Sequence, residues 1–423
     1  MLNRTIAPEF KQVSDINFIH PALRTLDNGL PVYSVFSGEQ DLVRIEFIFD
    51  NVNWDVSKPL QAIAANALLT GGTHQFSAKQ IAERIDFYGA FLQTAYTQDH
   101  ATVTLYTLSK YLPLVLPIVQ DVLVNAQFPQ SELDTYVRNQ KQRLLVSLEK
   151  NSFLARKEFA HATFGETAYG VDIRLEHYKD LNQPDLVAYH KVAYTPNNCT
   201  VIVAGKFDDE AFGLLNEQFG RAWEKNDARK NSFVFGDAEK KDIFIEKPDS
   251  LQSAVRIGLL AVNRTHADFA GLQVVNCILG GYFGSRLMNN IREDKGYTYG
   301  IGSSLSSLQH AGYISIATEV GVDVCADALK EVYKEINLLR DERVGEGELE
   351  LVKNFMLGST LGSLENIFSH ADKFKNIHFS GLDYSYYDKY ISTVKTITAD
   401  EVQQLAQKYL MLDQFTEVVV GKR

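Results

Sequence analysis

The chain has 423 residues, 45% of them hydrophobic, and is therefore long enough to form two or more packed domains. Its formal net charge is −11 and its pI is near 5.5, and its Lys and Arg residues form no large cluster. Nucleic-acid-binding proteins normally carry a basic surface patch, so the composition excludes this class.

The targeting signals of the sequence are weak. No stretch is long and apolar enough to predict a membrane span. The first residues, MLNRTIAPEFKQ, lack the apolar core of a signal peptide. The three cysteines, Cys199, Cys277 and Cys325, lie far apart, as is typical of free thiols in a reducing compartment. We therefore expect a cytoplasmic protein without a membrane association.

In the first half of the chain, apolar periodicity predicts alternating groups of strands and helices. Residues 26–30 carry a hairpin turn signal before a return strand at 32–36. The strand predicted at 43–50 alternates, with Arg44 and Glu46 opposite its apolar residues, so we expect it to be half-buried. The remaining predicted elements are helices 57–70 and 77–89, strands 91–96 and 101–108, helices 114–125, 131–150, 151–164 and 184–192, strand 199–206 and helix 208–220.

The second half repeats the pattern of the first. The charged run 221–241 lacks periodicity, and we interpret it as an interdomain linker. A Gly pair follows the first long helix of each half, at Gly71–Gly72 and Gly280–Gly281, and VVVGK near the end of the chain resembles VIVAGK in the strand at 199–206. The elements predicted after the linker are strands 243–246 and 253–261, helices 266–279 and 286–293, strands 299–305 and 312–320, a mostly helical region 322–410 and strand 416–422.

A repeat this long indicates a duplicated domain. The sequence therefore predicts an α+β fold with two homologous domains, 1–220 and 242–423, each a mainly antiparallel sheet packed with helices.

The most informative stretch is 278–300, ILGGYFGSRLMNNIREDKGYTYG. Its pattern predicts a short helix that Gly296 ends, followed by a strand. Arg292 lies in the last helical turn, and Tyr299 follows seven residues later, past the chain reversal. A guanidinium and a phenol on one side of the chain form a donor pair suited to holding a carbonyl oxygen.

The run GGYFGSRLMNNIREDKGYTYG resembles the second-domain signature of the insulinase, pitrilysin and mitochondrial-processing-peptidase family. In that family the Arg and the Tyr bind the backbone of the substrate near the scissile bond. The resemblance therefore implies a mitochondrial-processing-peptidase-like fold and a substrate-binding role for Arg292 and Tyr299.

The same family binds zinc through His-x-x-Glu-His on a helix of the first domain, followed by a short apolar run and Gly-Thr. That context is present here as LLTGGT at 68–73, which places the two His positions at Ile63 and Ala67 and the Glu position at Asn66. In the region that corresponds to the third ligand, 139–149, the only acidic residue is Glu149. Zinc needs about four N, S or O donors. The motif is thus degenerate, and we carry over no metal ligand.

The ten histidines offer no replacement zinc site of the same kind, because no two of them are three or four residues apart. We therefore expect this chain to have no cofactor and zinc to be present only in a partner subunit.

In the resembling family, peptidases of this size often work as heterodimers in which one subunit has the zinc motif and the other supplies the Arg and the Tyr. The resemblance implies that this chain is the second kind: a non-catalytic, substrate-binding subunit, inactive alone, that acts with a zinc-binding homologous subunit on peptides or unfolded proteins. Two alternatives stay open, an inactive structural or assembly subunit and an independent metallopeptidase with a rearranged metal site. Self-association as a homodimer also stays open.

Overall fold

The computed structural model describes residues 15–36, 41–221, 223–236 and 240–423. Outside the described residues lie 1–14, over which the sequence predicts no signal peptide, and part of the predicted linker 221–241. The strands of the first sheet are β1 (Ala22–Thr25), β2 (Pro31–Phe36), β3 (Leu42–Asp50), β4 (Phe91–Tyr96), β5 (His100–Leu108) and β6 (Cys199–Gly205). Those of the second are β7 (Lys241–Glu246), β8 (Gln252–Ala261), β9 (Thr298–Ser307), β10 (Gly312–Gly321) and β11 (Thr416–Gly421).

The two sheets share one topology. The first has the order β1-β2-β6-β3-β5-β4 and the second the order β7-β11-β8-β10-β9. When β1 is left out and the five remaining strands of each sheet are numbered along the chain, both sheets have the spatial order 1-5-2-4-3. In each sheet the first and last of these five strands pair in parallel, and the other pairs are antiparallel. The predicted α+β fold, with two similar and mainly antiparallel sheets, is confirmed.

Helices cover both sheets. Those of the first half are α1 (Gln61–Ala67), α2 (Ala78–Phe87), α3 (Leu112–Val124), α4 (Gln130–Leu148), α5 (Asn151–Phe164), α6 (Gln183–Ala193) and α7 (Asp209–Phe219). Those of the second half are α8 (Phe269–Asn276), α9 (Cys325–Asp341), α10 (Glu346–Gly362), α11 (Ile367–His378), α12 (Ser385–Thr396) and α13 (Ala399–Tyr409). Two π-helical segments, Cys277–Gly281 and Met288–Asp294, flank the turn that follows α8.

Each half provides one helix to the sheet of the other half. Helix α5 packs Ala155 and Phe159 against Ala254 and Val418 of the second sheet. Helix α11 packs Ala371 and Phe374 against Val35, Ile48, Ile202 and Ala204 of the first sheet. Since α5 and α11 occupy equivalent places in the repeat, the exchange is reciprocal, and the two sheets share apolar cores across the repeat boundary. The predicted division into 1–220, 221–241 and 242–423 stays a prediction.

The expectation that β3 is half-buried is wrong. Arg44 and Glu46 are only 5% and 4% exposed. The cause is α11, which covers this face and brings Asp372 within 2.9 Å of Arg44 and Lys375 within 2.8 Å of Glu46. The polar residues of the strand are therefore buried within an ion-pair network rather than solvated, an arrangement that depends on a helix more than 300 residues away.

Several element boundaries also differ from the prediction. The helix predicted at 57–70 begins at Gln61, because the backbone N–H and the hydroxyl of Ser57 both donate to Asp55 in a turn that precedes it. It ends at Ala67, and a 3₁₀ turn, Leu69–Gly71, follows. The start of α2 is confirmed, with Ser77 and Gln80 forming a capping box.

Candidate functional site

Arg292 lies in the π-helical segment Met288–Asp294 rather than in a regular helical turn. The Lys295 N–H donates to the Asn290 carbonyl, five residues back, at 3.0 Å. Isolated π-helical turns are rare and occur often at functional sites. Ile291 is fully buried, while the Arg292 side chain is 32% exposed, so the wide turn directs the guanidinium to the surface edge of the second half.

The surroundings of the Arg292 guanidinium leave its hydrogen-bond donors largely unused. Its Cζ atom lies 4.7 Å from the centre of the Phe283 ring. Its Nη1 is buried and lies 3.0 Å from Glu293 Oε1, but the geometry is not that of a hydrogen bond, and within the described residues Nη1 has no hydrogen-bond partner. The guanidinium is thus held by an aromatic face and a neighbouring charge, and neither contact takes a hydrogen bond from it.

Tyr299 is the second residue of β9 and lies in a β-bulge. Thr298 pairs with Val320 and Ile301 pairs with Thr318, so Tyr299 and Gly300 together face one residue of β10, Glu319. A bulge turns side chains away from the regular alternation of the strand. The Tyr299 side chain is 91% exposed, which is unusual for a large aromatic residue in a strand.

Two threonine hydroxyls stabilise the bulge. The Thr298 hydroxyl donates to the Glu319 carbonyl at 2.7 Å and accepts from the Gly300 N–H at 3.1 Å. The Thr318 hydroxyl lies 2.9 Å from Thr298 Oγ1 and 3.0 Å from the Gly300 carbonyl oxygen. Since Thr318 is only 6% exposed, this network fixes the backbone beneath Tyr299 from the buried side.

The segment around Arg292 is firmly attached to the rest of the second half. A Cβ atom at Gly280 would lie 2.6 Å from the Ser303 backbone nitrogen, so only glycine allows the turn to pack this closely on β9. Arg286 forms a two-pronged ion pair with Glu348 of α10, with both N–O distances 2.8 Å. Hydrogen bonding to Glu348 raises the pKa of the Arg286 guanidinium. The Arg286 donors thus hold this segment against α10. The π-helical segment also packs on β9, so Arg292 and Tyr299 are on elements in direct contact.

The degenerate zinc-motif positions lie on α1 in three different environments. Ile63 packs into an apolar cluster with Leu60, Leu144 and Tyr178, between α1 and α4. Ala67 is exposed. Asn66 is 2% exposed, and its Oδ1 accepts a hydrogen bond from the Tyr194 hydroxyl at 3.0 Å.

These environments do not suit a metal. Burial raises the pKa of Tyr194 well above its ordinary value, so its hydroxyl stays protonated and keeps donating to Asn66. Glu149, in the region of the family's third ligand, is at the end of α4 with its side chain 86% exposed, 3.9 Å from Lys247 of the second half. In the described ranges, no three His, Cys, Asp or Glu side chains are grouped so that they could hold a metal ion. Apolar side chains thus pack between α1 and α4, at the place where the resembling family has metal-binding side chains.

The sequence indicated Arg292 and Tyr299, but it did not predict the π-helical turn that carries Arg292 or the β-bulge that carries Tyr299. Neither the π-helical turn nor the bulge has a simple periodic signal. Gly300, directly after Tyr299, was the available hint, because a glycine within a strand often marks a bulge. The contact of Phe283 with Arg292 joins residues nine positions apart across a turn, so no helical spacing indicates it.

Comparisons with known proteins place the chain among peptidase relatives. Residues 180–356 match the family described as "Peptidase M16 inactive domain". YmxG of Bacillus subtilis, named an uncharacterized zinc protease, is 26% identical over 353 residues, covering 81% of this chain and 83% of that protein. The Helicobacter pylori YmxG, named a non-peptidase homolog, is 22% identical over 378 residues, covering 84% and 83%. The resemblance inferred from the sequence is confirmed: the chain is similar to M16-family proteins over most of its length, and residues 180–356 are similar to the inactive domain of that family.

Solved structures agree with this fold. The M16 inactive domain from Pseudomonas fluorescens superposes with a TM-score of 0.86 at 23% identity, covering 95% of this chain and 98% of that one. A chain of complex III₂ from Candida albicans superposes with a TM-score of 0.73 at 13% identity, covering 95% of both chains. At these identities the structures establish the fold alone. Over the described parts of the chain, no helix combines the length and the apolar character that crossing a membrane requires.

Proposed function

We propose that this chain is the non-catalytic, substrate-binding subunit of a heterodimeric zinc endopeptidase that acts on peptides or unfolded proteins. Its partner is a homologous subunit with an intact His-x-x-Glu-His motif, and this chain supplies Arg292 and Tyr299 to the partner's zinc site. The relationship to the M16 inactive domain and the apolar packing around Ile63 both support this division of roles.

The single observation that carries the proposal is the presentation of Tyr299. A tyrosine that is 91% exposed contributes nothing to the core, yet a bulge and two threonine hydroxyls fix the backbone that carries it. Arg292, on the adjoining segment, has a side chain that is 32% exposed and that contacts an aromatic ring and the Glu293 carboxylate without a hydrogen bond to either. A scaffold has no need of such an arrangement, whereas a site that binds a peptide carbonyl does.

The chemistry of the pair follows from its donors. In the complex, the partner's His-x-x-Glu-His residues would hold a zinc ion, which would supply an activated water for the reaction. Arg292 and Tyr299 hold the peptide backbone and donate hydrogen bonds to the carbonyl oxygen as negative charge develops on it. The backbone that carries Tyr299 and the Arg292 guanidinium are both held by contacts within the second half, which reduces the reorganisation that the reaction requires.

Reconstitution tests the proposal. The purified chain alone should contain no stoichiometric zinc and cleave no peptide, and activity should arise on mixing with a homologous subunit that has His-x-x-Glu-His. Arg292→Ala and Tyr299→Phe should each lower the rate by about 100- to 1,000-fold, the usual cost of an oxyanion donor. Arg343→Ala is a matched control, since Arg343 is an exposed arginine paired with Asp400. Full activity of the Arg292→Ala complex would contradict the proposal.

A second candidate function, an inactive assembly subunit of a larger complex, has the fold likeness to a complex III₂ chain in its favour. It predicts stable association without peptidase activity for any zinc-bearing partner. The third candidate, an independent metallopeptidase with a rearranged site, predicts about one bound zinc per isolated chain, which metal analysis measures directly.

We also propose a cytoplasmic location. Cys199, Cys277 and Cys325 are all free and buried, which suits a reducing compartment. Sedimentation of the isolated chain will show whether it forms a homodimer before it meets its partner.

A further inference from the structure

We infer that Phe283 is a positioning residue that fixes the Arg292 guanidinium where it meets the substrate carbonyl. The inference rests on the proposed function, in which Arg292 binds the peptide. It assigns a role to the one aromatic side chain whose ring contacts the Arg292 guanidinium in the described part of the chain.

The turn that carries Phe283 is held by hydrogen bonds and close packing. The Ser285 N–H donates to the Tyr282 carbonyl at 3.1 Å, and the Asn289 side-chain amide donates to the Gly284 carbonyl at 3.0 Å. A Cβ atom at Gly284 would lie 2.8 Å from the Tyr282 ring, so the chain passes this ring at the closest approach that glycine allows. The backbone around Phe283 is therefore held on both sides.

Phe283 contributes little to the hydrophobic core. Its side chain is 66% exposed, so its burial contributes little to folding. Its neighbour Tyr282 packs instead, with its ring 5.0 Å from that of Phe355. An exposed phenylalanine on a rigid turn, with its ring against a guanidinium, is explained better by that contact than by stability.

The contact between Phe283 and Arg292 is a cation–π contact. A guanidinium is attracted to the face of an aromatic ring without using its N–H groups. Arg286, six residues before Arg292, shows the alternative, because its Nε and Nη2 are both committed to Glu348. Phe283 can thus restrict the position of Arg292 and still leave its donors for a ligand, which a carboxylate partner cannot do to the same degree.

The first measurement uses the isolated full-length chain labelled with ¹³C and ¹⁵N arginine. The side-chain NMR signals of Arg292, identified by their loss in Arg292→Lys, should show a ring-current shift. That shift should vanish in Phe283→Leu and persist in Phe283→Tyr. Phe87→Leu is the matched control, since Phe87 is 82% exposed on α2 of the other half. An Arg292 signal that does not change in Phe283→Leu would overturn the inference.

The second measurement uses the complex with the zinc-bearing partner. Phe283→Leu should lower kcat by about 3- to 10-fold with little change in KM, and Phe283→Tyr should restore it, because the loss is one of orientation. A higher KM at unchanged kcat would instead mean that Phe283 contacts the substrate itself, and would overturn the positioning role. If Arg292→Ala cripples the complex and Phe283→Leu does not, only this inference fails. If Arg292→Ala has no effect on the complex, both the proposed function and this inference fail.

Discussion

At the scale of single residues, two arginines six positions apart show how the local surroundings set a role. Arg286 and Arg292 both follow the Gly280–Gly281 turn, but Arg286 forms two hydrogen bonds to a carboxylate on α10, whereas Arg292 lies against an aromatic ring and forms no hydrogen bond to the nearby Glu293 carboxylate. Arg286 therefore attaches the segment to α10, whereas the contacts of Arg292 take no hydrogen bond from its guanidinium. The same contrast holds for the zinc-motif positions, where the Asn66 carbonyl accepts from a buried phenol and is not available to a metal.

Thr318→Val tests the support of Tyr299. The substitution removes the hydroxyl that lies near both Thr298 and Gly300, at a position that is 6% exposed, and leaves each of these groups with one hydrogen-bond partner fewer. We expect a loss of about 1–2 kcal/mol in the free energy of unfolding, measured with denaturant, and weaker peptidase activity in the reconstituted complex. Thr107→Val, at a 1% exposed threonine of β5, is the control for stability, and its activity should be retained. Unchanged activity of Thr318→Val would show that Tyr299 does not depend on the bulge.

At the scale of secondary-structure elements, the sequence predicted most of what local chemistry determines. The start of α2 follows from the capping box at Ser77, and the turn before β2 from Asp27–Asn28–Gly29. Effects that come from distant elements could not be predicted in this way. The polar face of β3 gave no sign that α11 would bury it, and the π-helical turn at Arg292, which packs on β9, has no periodic signal in the sequence.

The helix α6 carries a buried histidine that makes stability depend on pH. Burial lowers the pKa of His190 to about 4, against an ordinary value of 6.5, and its Nε2 lies 2.8 Å from the Leu123 carbonyl oxygen. Between pH 6.5 and 4 the unfolded chain binds a proton that the folded chain does not, so the stability present above pH 6.5 is lost as the pH falls.

The expected loss in the free energy of unfolding, from pH 6.5 to pH 4, is about 3 kcal/mol for this one group. Denaturant titrations over this range measure it, and His190→Gln should flatten the dependence. His74→Gln, at an exposed histidine, should leave the dependence as steep as in the unmodified chain. An equal slope for all three proteins would contradict the assignment to His190.

At the scale of the whole molecule, the duplication is more than two similar domains joined in series. Each half covers one face of its own sheet and provides a helix for the far face of the other sheet. The repeat of strands and Gly pairs was readable from the sequence because it lies in short, local patterns. The exchange was not, because α5 and α11 have the same kind of sequence whichever sheet they cover.

This exchange predicts that the two halves unfold together. The two tryptophans are Trp54, which follows β3, and Trp223, which lies in the predicted linker but packs into the core of the first half. Fluorescence therefore reports on that half, while far-UV circular dichroism reports on the whole chain. The two denaturant transitions should coincide, since separating the halves exposes the apolar contacts of α5 and α11. Two resolved midpoints would show that the shared cores do not couple the halves.

The central claim is that this chain contributes donors, and no metal, to a site completed by another subunit. The most direct measurement is a titration of peptide hydrolysis at a fixed amount of zinc-bearing partner. Activity should rise with added chain to saturation at one chain per partner, and the Arg292→Ala chain, added in excess, should bind the partner and abolish that activity as an inert competitor. Partner activity that is independent of this chain, or an Arg292→Ala chain that sustains full activity, would contradict the account.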